Sequence, residues 1–191
     1  MATSLLALGV ALAIGGVPSL AEAKVFLSRK QAIALAFPEA DRVETEVTIL
    51  DASQTAAIER IARAKLETRI VKLYTGWKGD ALLGHAYIDV HTVRTQPEAF
   101  LVVLDRAGKV RSLRVLAFHE PLDYLPAERW YAQFEGKSVE QPLRLGRDVH
   151  GIMGATLSAR AVTSSVRRVM AFYEVLIRSR SARSAGAPSG S

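Results

Sequence analysis

One short segment of this chain gathers residue types that could hold a phosphate group: Gly154-Ala155-Thr156-Leu157-Ser158. Glycine and alanine present almost no side chain, so another molecule can approach the backbone closely. Thr156 and Ser158 carry the only hydroxyls in the segment that can be esterified. Val162, Val166, Val169, Tyr173 and Leu176 recur at the spacing of one buried helical face, which predicts a long helix starting at Ser158. The start of such a helix offers unpaired N–H groups and the positive end of the peptide dipole, both of which favour a phosphate. Arg160, Arg167 and Arg168 add positive charge along the same helix. Taken alone, the segment reads better as an ordinary helix N-cap behind a glycine turn, since G-A-T-x-S is common by chance, so its context must decide.

The four histidines are the other candidates. His85, Asp89 and His91 share one face of a strand, as metal ligands can. At ~3.3 Å per residue His85 and His91 lie about 20 Å apart, too far to share one ion, so the expectation is a solvated or ligand-lining polar face. His119 and His150 flank the two loops nearest the glycine segment. There is no G-x-S-x-G element, phosphate-binding loop or dinucleotide fingerprint, which argues against an enzyme with its own substrate.

The elements that must position these residues are legible in order. Ser28 caps a helix through about Phe37, stopped by Pro38. Arg42–Leu50 alternates as a strand, and Ser53 caps a second helix with Ile58, Ile61, Ala62 and Leu66 as its apolar stripe. Strands follow over Arg69–Trp77, Leu82–Val93, Ala99–Leu104 and Val110–Phe118, with Asp105–Gly108 as a hairpin loop. An irregular loop, His119–Pro126, leads to a short helix around Glu128–Phe134. The predicted fold is α+β: an antiparallel β-meander sheet packed by a long C-terminal helix, with a short α/β N-terminal lead-in.

Composition bounds the function further. With 191 residues, 49% hydrophobic and 23% charged, the chain can build one ordinary core. It has no cysteine, which excludes disulfides, iron–sulfur clusters and thioether-linked haem. Electron transfer would need an organic cofactor or a histidine-ligated metal. The net charge of +6 is dispersed, with clusters only at Arg167-Arg168 and in the Arg178, Arg180, Arg183 tail. That reads as a solvated surface with some attraction for anions, and no nucleic-acid partner is expected. Leu5–Leu20 is uncharged and runs into Ala21-Glu22-Ala23, which predicts a secretory signal peptide over residues 1–23, cut before Lys24. A periplasmic location follows, with retention of the segment as a membrane anchor as the alternative. The predicted organisation is then a lead-in over 24–67, the principal domain over 68–177, and a disordered basic tail over 178–191.

The order of features resembles the covalent FMN-binding domain family. That family includes the flavin-carrying subunits of the sodium-pumping NADH:quinone reductase and of Rnf electron-transport complexes. Its pattern is a meander, a loop similar to H-x-E-T-P-G, a W…F-x-G-K stretch, and D-x-x-S-G-A-T-x-S/T opening a final helix. Here the counterparts are His119-Glu120-Pro121, then Trp130, Phe134, Gly136 and Lys137, then Gly154–Ser158, over roughly residues 68–177. The chain departs from the pattern at His150 (normally acidic), at Met153 (normally Ser) and at Leu122, and Asp148 is the nearest acid. The resemblance implies an FMN cofactor whose phosphate a flavin transferase joins to Thr156. It also implies a site made of Thr156, Gly154, Ala155, Leu157, Ser158, His150, Gly151, Met153, His119, Glu120 and Tyr124. A redox carrier, with a membrane electron-transport complex as the kind of partner, is the first function class implied. A degenerate or noncovalent flavin-binding or sensory module is the second, and an enzyme the third.

Overall fold

The computed structural model describes residues 24–93 and 96–181. The expected signal peptide and residues 182–191 of the expected tail lie outside the described residues. Six strands form one antiparallel sheet: β1 (Lys24–Val25), β2 (Arg42–Ile49), β3 (Ile70–Lys78), β4 (Ala81–Val93), β5 (Gln96–Leu104) and β6 (Val110–Phe118). Their order across the sheet is β1-β6-β5-β4-β3-β2. Residues 24–67 therefore supply both sheet edges, β1 pairing with β6 and β2 pairing with β3 over its whole length.

Helices cover both faces. On one side α1 (Arg29–Ala36) buries Ala32 and Ala36 with Phe37 against Tyr74, Ala86, Leu101 and Val103. On the other, α2 (Ala52–Ala62) and α4 (Thr156–Phe172) pack over Leu73, Tyr87, Phe100, Val102 and Leu104. Central β5 is thus covered on both faces, which is why Phe100–Leu104 reads as an unbroken apolar run. A short helix, α3 (Glu128–Tyr131), with the turn Ala132–Phe134, closes the end of the core. The family-like Trp-Phe-Gly-Lys stretch has a structural task here. Gly136 (φ 72°) and Lys137 exchange backbone bonds of 2.8 Å with Val110 at the start of β6, and Trp130 meets Phe134 edge-on at 5.3 Å.

Several boundaries differ from the sequence reading for local physical reasons. Ser28 caps α1 as expected, in a reciprocal capping box with Gln31. The cap of α2 is Asp51 rather than Ser53, because Gln54 sits three residues on and returns the bond to the Asp51 N–H. Helix α4 begins at Thr156 rather than Ser158. It continues beyond Ile177 through a π-helical turn, Tyr173–Arg178, and stays helical to Ser181, where Arg180 bonds Glu46 at 2.9 Å. The expected disorder therefore does not begin at residue 178.

The larger correction concerns β4. His85, Tyr87, Asp89 and His91 form an inward face, almost wholly buried beneath α4, while Val90 is exposed. The alternation was legible, but the polar set is the inner one. His85 meets the Tyr173 ring at a tilt, 5.7 Å between centroids, and shares a 3.1 Å bond with Thr75, and burial holds its pKa below the usual range. Tyr173 in turn packs on Gly108 (φ 79°), where any Cβ would meet its ring at 2.3 Å.

The core position of Val166 in the middle of α4 is fully enclosed. Val166→Asp should destabilise the fold by more than about 3 kcal/mol, since it buries an unpaired charge. Urea unfolding checks this, and an unchanged midpoint would disprove the packing of α4 on the sheet.

Candidate functional site

The start of α4 is built differently from the starts of α1 and α2. Those two carry full side-chain capping boxes, whereas the α4 cap is Ala155 (φ −119°), which has no side-chain acceptor to offer. Gly154 precedes it at φ 83°, a left-handed turn that disfavours any other residue. The first intrahelical bond runs from the Ala159 N–H to the Ala155 carbonyl at 3.0 Å. The N–H groups of Thr156, Leu157 and Ser158 take no partner among the described residues. Thr156, at the first helical position, is exposed, and Ser158 is buried.

These groups open into a cleft of about 140 Å³ that Val93, Glu120 and Tyr124 complete. Seven of the residues expected at the site meet there: Gly154, Ala155, Thr156, Leu157 and Ser158 with Glu120 and Tyr124. Val93 is an addition that no motif singles out; it is the last residue of β4, two positions beyond His91 on the inward face. The volume and its open mouth suit a phosphate ester.

Four expected site residues lie outside the cleft. His119 Nδ1 donates to the Pro97 carbonyl at 2.6 Å, so its ring is turned back onto β5. His150 is exposed and works through its backbone: its N–H donates to Gln133 Oε1 at 2.7 Å and its carbonyl accepts from Trp130 Nε1 at 2.8 Å. Gly151 is exposed beside it, and the Met153 side chain is wholly in solvent. Asp148 is held by the Arg144 backbone N–H and Nε, both at 2.9 Å, and stays within its own loop.

The arginines are also redistributed. Arg167 caps the end of α2, its Nη2 donating to the Ala62 carbonyl at 2.7 Å. Arg168 points to the sheet, where Nε and Nη2 bind the two oxygens of Asp89 at 2.9 and 2.7 Å. Neither can serve an anion in the cleft; Arg160, exposed on the first turns of α4, remains available in charge. The sequence could place these arginines on the helix but could not show the face to which each turns.

Beneath the cleft runs a buried polar column that sequence reading missed. Burial alone would raise the pKa of Asp89, but bonds from His91 (3.0 Å) and Arg168, and the guanidinium charge, hold it well below the usual carboxylate range. Beside them Glu98 on β5 is fully buried, and neither of its oxygens has a hydrogen-bond partner among the described residues. Burial raises its pKa, against the opposing effect of His91 and with the help of Glu120, to about 7. A single acid within the apolar run Gln96–Leu104 was the available signal. Among the described residues no cluster of three or more His, Asp or Glu side chains could hold a metal ion, and no helix is long and apolar enough to cross a membrane.

No sequence profile of a known family matches the chain, and no curated protein matches it. Its architecture, an α+β antiparallel sheet covered by a long C-terminal helix, is found in a solved structure. That structure is the crystal structure of NqrC from Shewanella oneidensis, which superposes with a TM-score of 0.53 at 13% identity. The match covers 74% of this chain and 85% of that one. At this identity the likeness is one of fold.

Glu98 gives the column a measurable signature. Its pKa is raised in the fold, so its contribution to stability is present at low pH and is lost as pH rises toward the folded value. The rise from 4.5 to about 7 corresponds to a loss on the order of 3 kcal/mol between those pH values. Glu98→Gln should therefore gain on the wild type in urea unfolding as pH is raised from about 5 to about 8. A difference between the two proteins that stays constant with pH would contradict the assignment.

Proposed function

We propose that this chain is an exported electron-transfer protein carrying FMN, with the flavin phosphate esterified to Thr156 Oγ. The observation that carries the reading is the uncapped start of α4. Three N–H groups without partners among the described residues and an exposed threonine meet in a phosphate-sized cleft, behind a turn that glycine permits. Phosphate oxygens at that point would satisfy the N–H groups of Thr156, Leu157 and Ser158 and lie at the positive end of the helix dipole. Supporting it are the likeness of fold to NqrC and the order of motifs that resembles the covalent FMN-binding domain family.

Within this reading the residues have distinct tasks. Thr156 is the attachment point, Gly154 and Ala155 leave room for the phosphate, and Glu120, Tyr124 and Val93 bound the opposite wall. His150 and Met153, where the chain departs from the family pattern, present exposed side chains on the outer surface of the loop. Their replacement leaves the cleft intact and alters only what a flavin transferase would meet. When bound, the flavin supplies one- and two-electron redox chemistry, and the protein sets its potential through nearby charge. A covalent link suits an exported carrier, because no cofactor pool outside the cytoplasm replaces a lost flavin. Docking to a membrane electron-transport complex is the corresponding proposal for its partner.

Thr156→Val keeps the shape at an exposed helix position and removes only the hydroxyl, so its stability should change by less than about 0.5 kcal/mol. Co-expressed with a flavin transferase, the wild type should give a fluorescent band on a denaturing gel and the variant none. A fluorescent band in the variant would exclude Thr156 as the attachment point.

A further inference from the structure

The column beneath the cleft has a geometry of its own. His91 on β4 and Glu98 on β5 are directly paired across the ladder, and Glu98 is paired in turn with Phe118 on β6. Glu120 follows Phe118 by two residues, in the bend after β6, and its charge acts on Glu98. Among the described residues, no hydrogen-bond partner meets His91 Nε2, either oxygen of Glu98, Glu120 Oε1 or the Tyr131 hydroxyl, all of them buried. Glu120 is the member that also borders the cleft containing Thr156.

Groups buried in this way are costly unless they bind something. A metal ion does not fit the described residues, and Asp89 is already neutralised by Arg168 at 2.7 Å. The species that satisfies a carboxyl beside an imidazole, in so small a space, is a proton. Among the described residues the charged and titratable neighbours are few. Asp89 and His91 belong to β4, Arg168 to α4, Tyr131 to α3, and Glu120 and His119 to the loop after β6. Glu67 and Lys72 stand beyond Asp89, where β3 and β4 part. Burial and the nearby Glu98 also push the Tyr131 pKa up, which keeps its phenol a neutral neighbour.

We propose that Glu98 and His91 form a buried proton-exchange site, opening to the Thr156 cleft through Glu120, that takes up a proton when a flavin attached at Thr156 gains an electron. The second half of this statement rests on the cofactor reading above. The balance is simple. An external one-electron donor is oxidised, its electron goes to the attached flavin, and one proton from solvent adds to the Glu98 carboxylate. The net charge of the buried region is then unchanged. Glu120 is placed to pass that proton, since one of its oxygens is buried while the residue borders the open cleft.

Two measurements test this. In the unloaded protein, infrared difference spectra between about pH 5 and pH 9 should show one protonated carboxyl titrating near neutrality. The band should vanish in Glu98→Gln, and its midpoint should fall in Glu120→Gln, where a like charge is removed. A wild type without the band, or a Glu98→Gln variant that keeps it, would overturn the proton site. In the flavin-loaded protein, reduced stepwise with dithionite, the midpoint potential should change its slope with pH near neutrality, and Glu98→Gln should lose that bend. Identical curves for the two would overturn the coupling while leaving the cofactor reading in place. If the wild type binds no flavin, the cofactor reading and the coupling fall together, and the unloaded titration decides the proton site by itself.

Discussion

Helix α4 lies across the sheet on a charge. Arg168 reaches from its buried face to Asp89 on β4 and grips both carboxylate oxygens at 2.9 and 2.7 Å, with His91 completing the shell at 3.0 Å. Each of these groups would be expensive alone in the core, and removing one partner of such a pair typically costs about 3–5 kcal/mol. Apolar packing by Val162, Val166 and Val169 would hold the helix down in several registers, because valine rows are similar to one another. The fork geometry of a guanidinium on a carboxylate permits one. That register fixes what happens at both ends of the helix: Thr156 in its cleft, and Tyr173 over the Asp105–Gly108 hairpin, bonded to the Arg106 carbonyl at 2.9 Å.

From this anchor the two chemical features of the molecule follow together. The uncapped start of α4 opens toward Glu120 and Tyr124 because the helix is held at that height on the sheet. The same face of β4 that supplies Asp89 continues through His91 to Val93, which lines the cleft. Charge buried for packing and charge available to the site therefore belong to one contiguous set of residues. Electrostatic coupling between them is strong where water is scarce.

The sequence disclosed the fold well, and the reasons are local. Ser28 with Gln31, the apolar run Phe100–Leu104, the Asp105–Gly108 loop and the valine stripe of α4 each carry their own signal, independent of the rest of the chain. Of the residues that sequence reading singled out, the continuous segment Gly154–Ser158 and the loop residues Glu120 and Tyr124 line one cleft. What escaped depends on partners remote in sequence. The inward turn of His85, Asp89 and His91 requires α4, some 80 residues on, to cover them. Arg167 and Arg168 are adjacent in sequence yet serve α2 and β4 respectively, which only the helix register decides. Glu98 acquires its setting only from His91 across the ladder and from Glu120 in the loop after β6. Residues 24–67 likewise showed their elements but not their task, which is to close both edges of the sheet.

The account stands or falls on the covalent state of Thr156. Intact mass spectrometry of the protein purified from its native host, followed by tryptic digestion, reads it directly. The expected species is heavier than the bare chain by one FMN less one water. Fragmentation of the peptide spanning Asp148–Arg160 should place the addition on Thr156 rather than Ser158. An unmodified mass, or an addition mapped to any other residue, would contradict it.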